Sequence, residues 1–202
     1  MTLLRLEANR GNGYACYDMG RMYLLGQGCK ENGEEAQRWF GFALTAFLNA
    51  EKTANKPGYL QYRIGKCYAG GYGTEQNHEE AAGWFRQAVD EKNPFAAYAL
   101  GGQYLRGQGV EQSSTEAYRL YTMAAVRGNA YAQYQLGRMY RDGIGTGADL
   151  EESGRWYAKA YAGFLAMEAA MADDKLCYRL GSMNMTGTGT EVDLEKSRYY
   201  FE

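Results

Sequence analysis

Apolar positions along the chain recur in two alternating patterns, each with the spacing of one helix face. In the first, Gly20, Gly65, Gly101, Gly137 and Gly181 serve as reference points. Apolar residues stand five before them (Ala15, Leu60, Ala96, Ala132, Leu176) and one before them (Met19, Ile64, Leu100, Leu136, Leu180). Three after them come Tyr23, Tyr68, Tyr104 and Tyr140, with Asn184 as the exception. Steps of four and four trace one stripe of an α-helix. Six residues past each reference glycine a G-x-G triplet ends the stripe: Gly26/Gly28, Gly71/Gly73, Gly107/Gly109, Gly143/Gly145, Gly187/Gly189. Glycine suits the left-handed cap that closes a helix. The second pattern opens on Asn32, Asn77, Ser113, Asp149 or Asp193, residue types favoured at a helix N-cap. Glu35, Glu80, Glu116 and Glu152 follow three later, a capping-box spacing that Lys196 breaks in the last copy. A bulky column (Trp39, Trp84, Leu120, Trp156, Tyr200) then lies between small residues such as Ala36 and Ala43, or Ala81 and Ala88.

The reference glycines are 45, 36, 36 and 44 residues apart, so a helix–turn–helix unit recurs five times. A period near 36 is that of stacked supersecondary units. The extra residues after Trp39 and Trp156 hold no turn signal until Asn55-Lys56-Pro57-Gly58 and Ala172-Asp173-Asp174. They predict second helices lengthened there by about two turns of ~3.6 residues, with apolar runs at 42–47 and 164–171 that must pack. Glycine inside a helix costs ~1 kcal/mol against alanine. The reference glycines therefore predict a close approach, with the Trp column as the expected partner. The chain reads as a single repeat domain, 1–202. Within it lie a partial repeat at 1–12, repeats at 13–57, 58–93, 94–129 and 130–173, and a truncated repeat at 174–202. Residues 3–12 align with 120–129, the tail of a second helix, and the chain stops inside another. Such raw ends predict an excerpt of a longer protein, or self-association through the terminal repeats.

Charge and composition narrow the function classes. Twenty-two basic and 24 acidic residues give a net charge of −2, which supplies no general footprint for nucleic acid. No window approaches the ~18 apolar residues of a membrane span, and residues 1–7 are charged too soon for a secretory signal. Cys16, Cys29, Cys67 and Cys177 lack metal or disulfide-framework spacing, which suits reduced thiols in a cytoplasmic protein. The single histidine, His78, supplies neither a metal site nor a catalytic triad and is expected to be solvated. No serine heads an S-x-x-K motif. Without a preceding strand the G-x-G turns are caps and not phosphate loops. The reading is a non-enzyme with no cofactor and no metal.

The pattern A-x-Y-x-L-G-x-x-Y-x-x-G-x-G, followed by D-x-x-x-A-x-x-W-Y and A-A-x-x-G-N, is legible at 96–129 and 132–157. It resembles the Sel-1-like repeats, relatives of the tetratricopeptide repeats, over nearly the whole chain. The resemblance implies an all-α, right-handed superhelical α/α solenoid that serves as an adaptor in protein complexes without an activity of its own. Departures are Leu120 at the aromatic anchor, Asn184 for Tyr, and the two lengthened units. A bacterial branch of the family links its helices by disulfides. Cys16 and Cys177 stand at that branch's first-helix position, but no partner cysteine follows near Leu44.

In such a solenoid the first helices line the concave face. The stripe beside the core carries Tyr14, Tyr17, Arg21; Tyr59, Tyr62, Lys66; Tyr98; Tyr131, Tyr134, Arg138, Arg141; and Tyr178, the candidate partner-binding residues. Tyr17, Tyr62, Tyr98, Tyr134 and Tyr178 form an unbroken column. Tyr with interleaved Arg and Lys is the composition that dominates interface energies. The first helices hold eight basic residues and three acidic ones, +5 net, leaving −7 elsewhere. That asymmetry favours an acidic, extended peptide or protein segment as partner. Two alternatives stay open. The tyrosines pack flat against the neighbouring first helix with only their hydroxyls toward water, or the column stacks on glycan or peptidoglycan fragments.

Overall fold

In the computed structural model, which describes residues 2–170 and 173–202, eleven helices and no strands are found among the described residues. They are α1 (Thr2–Asn9), α2 (Gly13–Leu25), α3 (Gly33–Glu51), α4 (Gly58–Gly70), α5 (His78–Asp90) and α6 (Pro94–Arg106). α7 (Ser114–Val126), α8 (Ala130–Asp142), α9 (Leu150–Ala170), α10 (Asp174–Thr186) and α11 (Leu194–Phe201) complete the set. The even-numbered helices are the predicted first helices and the odd-numbered ones from α3 onward are the second. The fold class is all-α, a solenoid of helix–turn–helix repeats. Met171 and Ala172, which the sequence places at the end of the 130–173 repeat, lie outside the described residues.

The caps explain why each unit starts and stops where it does. Asn32, Asn77, Ser113, Asp149 and Asp193 all accept from backbone N–H groups in the first turn of α3, α5, α7, α9 and α11. Their own N–H groups are not taken by the glutamate three residues on, as a full capping box would have it. They donate instead to the carbonyls of Tyr23, Tyr68, Tyr104, Tyr140 and Asn184 in the preceding helix, at 2.8–2.9 Å. This bond ties the two helices of a unit together and frees the glutamates. Glu35, Glu116 and Glu152 use that freedom to pair with Arg38, Arg119 and Arg155 one turn later.

By its contacts the chain forms two compact units. Unit 1 comprises α1–α5, the start of α6 and the 107–111 turn; unit 2 comprises the rest of α6 and everything from 112 on. In unit 1 the core gathers Met19, Ala36, Phe40, Ala43, Phe47, Ile64 and Cys67. In unit 2 Ala160, Phe164, Leu176, Leu180 and Met183 do the same.

The reference glycines are packing positions, with a different partner from the one the spacing suggested. A methyl group at Gly20 would fall 2.6 Å from the Phe40 ring, at Gly65 2.6 Å from Phe85, and at Gly137 2.7 Å from Tyr157. The nestling residue is therefore the one after the Trp column. At 100° per residue that single step turns it from the flank of the second helix onto its inner face. Leu120 and Trp39 are buried, whereas Trp84 and Trp156 are only half-buried.

The lengthened repeats change where the next unit docks. After the 13-residue second helices α5 and α7 the second glycine of the next triplet sits against the first turn of that helix: Gly109 on His78, Gly145 on Ser114. After the 19- and 21-residue helices α3 and α9 it sits about two turns further along, Gly73 on Gly41 and Gly189 on Tyr157. At positive φ, against backbone, these positions admit no Cβ. The 107–111 turn also half-covers His78, which the sequence had left in solvent. Asn184, which stands where the other copies have a tyrosine, accepts through its Oδ1 from the Tyr161 hydroxyl of the lengthened α9 at 3.0 Å.

Candidate partner-binding face

The first helices carry every candidate residue, and within each unit the structure sorts them. Tyr17 is 4% exposed and belongs to the core. Tyr62, Tyr98, Tyr131 and Tyr134 are half-buried, Tyr14 and Tyr59 are exposed at one edge, and Tyr178 is 68% exposed. Arg21, Arg138 and Arg141 reach solvent, while Lys66 is half-buried.

Most of the rings are engaged by neighbours. In unit 1 Tyr14 meets Phe47 at 5.2 Å and Tyr59 at 6.0 Å, and Tyr62 meets Phe95 at 5.8 Å. In unit 2 Tyr98 meets Tyr131 at 6.0 Å, and Tyr131 meets Phe164 at 5.1 Å. These are stacked, tilted and edge-on pairs at the distances where aromatic rings attract. Flat sugar stacking needs open ring faces, and the faces of Tyr14, Tyr17 and Tyr59 turned to Arg63 are occupied.

Arg63 and Arg179, which the stripe of candidate positions omits, organise the face. The Arg63 guanidinium lies 5.7, 5.2 and 5.2 Å from the rings of Tyr14, Tyr17 and Tyr59, and donates to the Tyr59 hydroxyl at 2.8 Å. Arg179 lies 5.5, 4.8 and 5.5 Å from Tyr131, Tyr134 and Phe164. The Nε of each is enclosed without an acceptor. Both arginines stand two residues before a reference glycine, and only in the repeats that follow a lengthened helix. Asp18, Ala99 and Gln135 fill that position elsewhere.

The electrostatics follow from this packing. Burial pushes the Tyr17 phenol far above its ordinary pKa, against the pull of Arg63 and Arg21. Burial opposes the charge on Arg63, but the Tyr59 hydrogen bond and the surrounding phenols outweigh it and hold the guanidinium protonated. Lys66 is pushed down by burial first and then by repulsion from Arg63 and Arg21.

Ion pairing is unevenly shared. Second helices pair their own charges, as in Arg38–Glu35 at 2.6 Å and Arg119–Glu116 at 3.0 Å. On the first helices Arg141 pairs with Asp142 at 2.7 Å. Arg21, Arg63, Lys66, Arg138, Lys175 and Arg179 enter no ion pair among the described residues. All four thiols are free, and burial pushes the Cys67 thiol up to about 12. An open apolar cavity of about 560 Å³ in unit 1, lined by Ala8, Cys16, Trp39, Phe42 and neighbours, carries no charged group. Among the described residues no group of three metal-binding side chains exists, and no helix is long and apolar enough to cross a membrane.

Comparison with known proteins places these features. The Sel1 repeat family model matches residues 13–44, 59–93, 94–129, 130–163 and 175–202. No curated protein matches the chain. Among solved structures, a Sel1 repeat protein from Oxalobacter formigenes is 28% identical, with a TM-score of 0.58 over 94% of this chain and 71% of that one. The protective antigen c5321 of uropathogenic Escherichia coli, described as displaying an SLR fold, is 28% identical with a TM-score of 0.57. That match covers 98% of this chain but only 39% of the antigen. The immunity protein Pa5087 of Pseudomonas aeruginosa shares the fold alone: 14% identity, TM-score 0.57, 99% of this chain and 70% of that one.

Proposed function

The chain belongs to the Sel1 repeat family, and from that premise we propose that it is a non-catalytic interaction module holding an acidic, extended segment of a partner protein along its first helices. Sel1 repeats generally mediate protein–protein interaction. The observation that carries the finer reading is the segregation of charge. Arg21, Arg63, Lys66, Arg138, Lys175 and Arg179 on the first helices enter no ion pair among the described residues, while Arg38, Arg119 and Arg155 on the second helices pair with glutamates of their own helix. Exposed ion pairs contribute only ~0–1 kcal/mol each, so unpaired surface cations cost folding little and remain available to a partner. Tyr14, Tyr59 and Tyr178 offer exposed aromatic surface beside them; Arg21, Lys66 and Arg138 set the sign of the partner, joined by Arg141, whose exposed pair with Asp142 a partner's carboxylate can exchange.

The test is affinity capture with the wild-type chain and with Arg21, Lys66, Arg138 and Arg141 all changed to Glu, followed by reconstitution with the purified partner. The variant is expected to fold, by circular dichroism, and to lose the partner. Undiminished binding of the purified partner would reject the first-helix face.

A further inference from the structure

The two units do not present equal charge, and the difference singles out one place. Arg21 on α2 and Lys66 on α4 occupy the same position, one residue past the reference glycine, in successive repeats of unit 1. Arg63 lies one helical turn before Lys66 on the same face. Its guanidinium cannot swing away, being held among the rings of Tyr14, Tyr17 and Tyr59 and bonded to the Tyr59 hydroxyl. Its Nε is enclosed without an acceptor. Lys66 is half-buried and in no ion pair, a state that burial and two neighbouring cations disfavour. Among the described residues no acidic side chain pairs with any of the three. At the matching places of unit 2 stand Arg138 and Arg179, but Ser182 replaces Lys66 and Lys175 replaces Tyr59. A cluster that is held rigid, partly desolvated and lacking a counterion gains most from an anion brought by a partner.

We infer that Arg21, Arg63 and Lys66 form a binding site for a side-chain carboxylate, the anchor at which unit 1 takes hold of an acidic segment. Arg63 and its ring cage are the fixed wall of the site, and Arg21 and Lys66 are the groups that reach the ligand. The inference rests on the charge-based reading above and narrows it to a point. A carboxylate entering here replaces the repulsion among three cations by attraction, so its contribution exceeds that of an exposed rim pair. A chain-terminal carboxylate offers the same chemistry, so the probe must carry none.

The probe is a fluorescein-labelled, C-terminally amidated peptide of alternating Glu and Gly, with a Gln–Gly peptide as its neutral counterpart, titrated with the full chain by anisotropy at low salt. The double variant R21Q/K66Q is expected to weaken binding of the Glu peptide by about tenfold. R138Q/K175Q, which removes the same charge from unit 2, is expected to change it by less than about threefold. R21K/K66R, which keeps both charges, is expected to retain most of the affinity, and the Gln peptide to stay unbound. Equal losses in the two Gln double variants would overturn the carboxylate site while leaving the wider charge-based reading in place. Glu and Gln peptides binding alike, or no binding at all, would overturn both.

Discussion

Unit 1 and unit 2 each contain the same cage of rings around an arginine, built from residues 116 or 117 positions apart. Tyr14, Tyr17, Phe40, Phe47 and Arg63 in one correspond to Tyr131, Tyr134, Tyr157, Phe164 and Arg179 in the other. The distances nearly coincide: 5.2 and 5.1 Å for the first ring pair, 5.2 and 5.2 Å for the second, 6.5 and 6.3 Å for the third. The cause is the lengthened second helix. Phe47 and Phe164 lie in the added turns of α3 and α9, and those turns shift the next first helix along. The long arginine side chain then reaches the tyrosines that a neighbouring ring would otherwise meet. Where the second helix is short, a ring suffices: Phe95 meets Tyr62 in unit 1, and Tyr131 meets Tyr98 in unit 2. The cages differ at three places, Tyr59 against Lys175, Lys66 against Ser182, and Phe40 against Tyr157, and each difference is a handle on what the cage does.

The largest expected effect tests the likeness. Phe47→Ala and Phe164→Ala each delete a fully buried ring at the base of a cage, and each should cost about 3–5 kcal/mol. Chemical denaturation followed by fluorescence reads this, with Trp39 and Trp84 reporting on unit 1 and Trp156 on unit 2. A loss several-fold smaller at one phenylalanine would mean that the two cages are alike in geometry only. The next effect tests the glycine approach. Gly20→Ala and Gly137→Ala push a methyl into the rings of Phe40 and Tyr157. Overpacking of about 1–3 kcal/mol is partly offset by the ~1 kcal/mol that alanine gains in a helix, so both should destabilise by about 1 kcal/mol.

Those glycines also mark how far the sequence could be read. Period, caps, both long helices and the sign of the first-helix charge were legible because each is a one-dimensional signal at fixed spacing. The partner of the glycine was misread by one residue: Trp39 is bulkier than Phe40, but helix phase and not size decides which side chain faces inward. The caged arginines were missed for another reason. Arg63 and Arg179 lie on neither the core stripe nor the stripe beside it, and only the register shift made by the long helices brings them over the rings. The usable signal was the coincidence of that arginine with a preceding long spacing. Likewise the capping-box glutamates had the right spacing, yet the bond they would make is taken by a carbonyl from the previous helix.

A smaller effect probes the first difference between the cages. Arg63 has three tyrosine rings and a hydroxyl acceptor, whereas Arg179 has two tyrosines and a phenylalanine, with Lys175 where Tyr59 supplies that hydroxyl. Cation–π contacts of partly desolvated groups are worth ~0.5–2 kcal/mol, and a hydrogen bond to a charged donor adds ~1.5–3 kcal/mol at most. Arg63→Met should therefore destabilise by about 2 kcal/mol and Arg179→Met by about 1 kcal/mol. Adding Tyr59→Phe to the unit 1 variant should change nothing further, since its hydroxyl has then already lost the donor. A reversed order of the two arginines, in the same denaturation experiment, would show that ring contacts and not the hydroxyl set the strength of the cage.

The smallest effect has the opposite sign. Tyr157 is buried against Gly137, and its hydroxyl has no hydrogen-bond partner among the described residues. Phe40, in the same place in unit 1, shows that the packing needs only the ring. Burying a polar group without a partner costs ~1–3 kcal/mol, so Tyr157→Phe should stabilise the protein by about 1 kcal/mol at neutral pH. The pH dependence gives a second readout. Burial raises the Tyr157 pKa to about 12 in the folded chain, against ~10 when unfolded. An acid whose folded pKa is raised keeps its full contribution below pH ~10 and loses it as pH climbs toward ~12, because the unfolded state releases the proton first. The variant lacks this loss, so its advantage over wild type should widen across that window and stay flat below it. The reverse change in unit 1, Phe40→Tyr, should destabilise by a comparable amount and steepen the alkaline loss. If Tyr157→Phe instead lowers stability, the hydroxyl has a partner of its own, and the two cages differ in polarity as well as in composition.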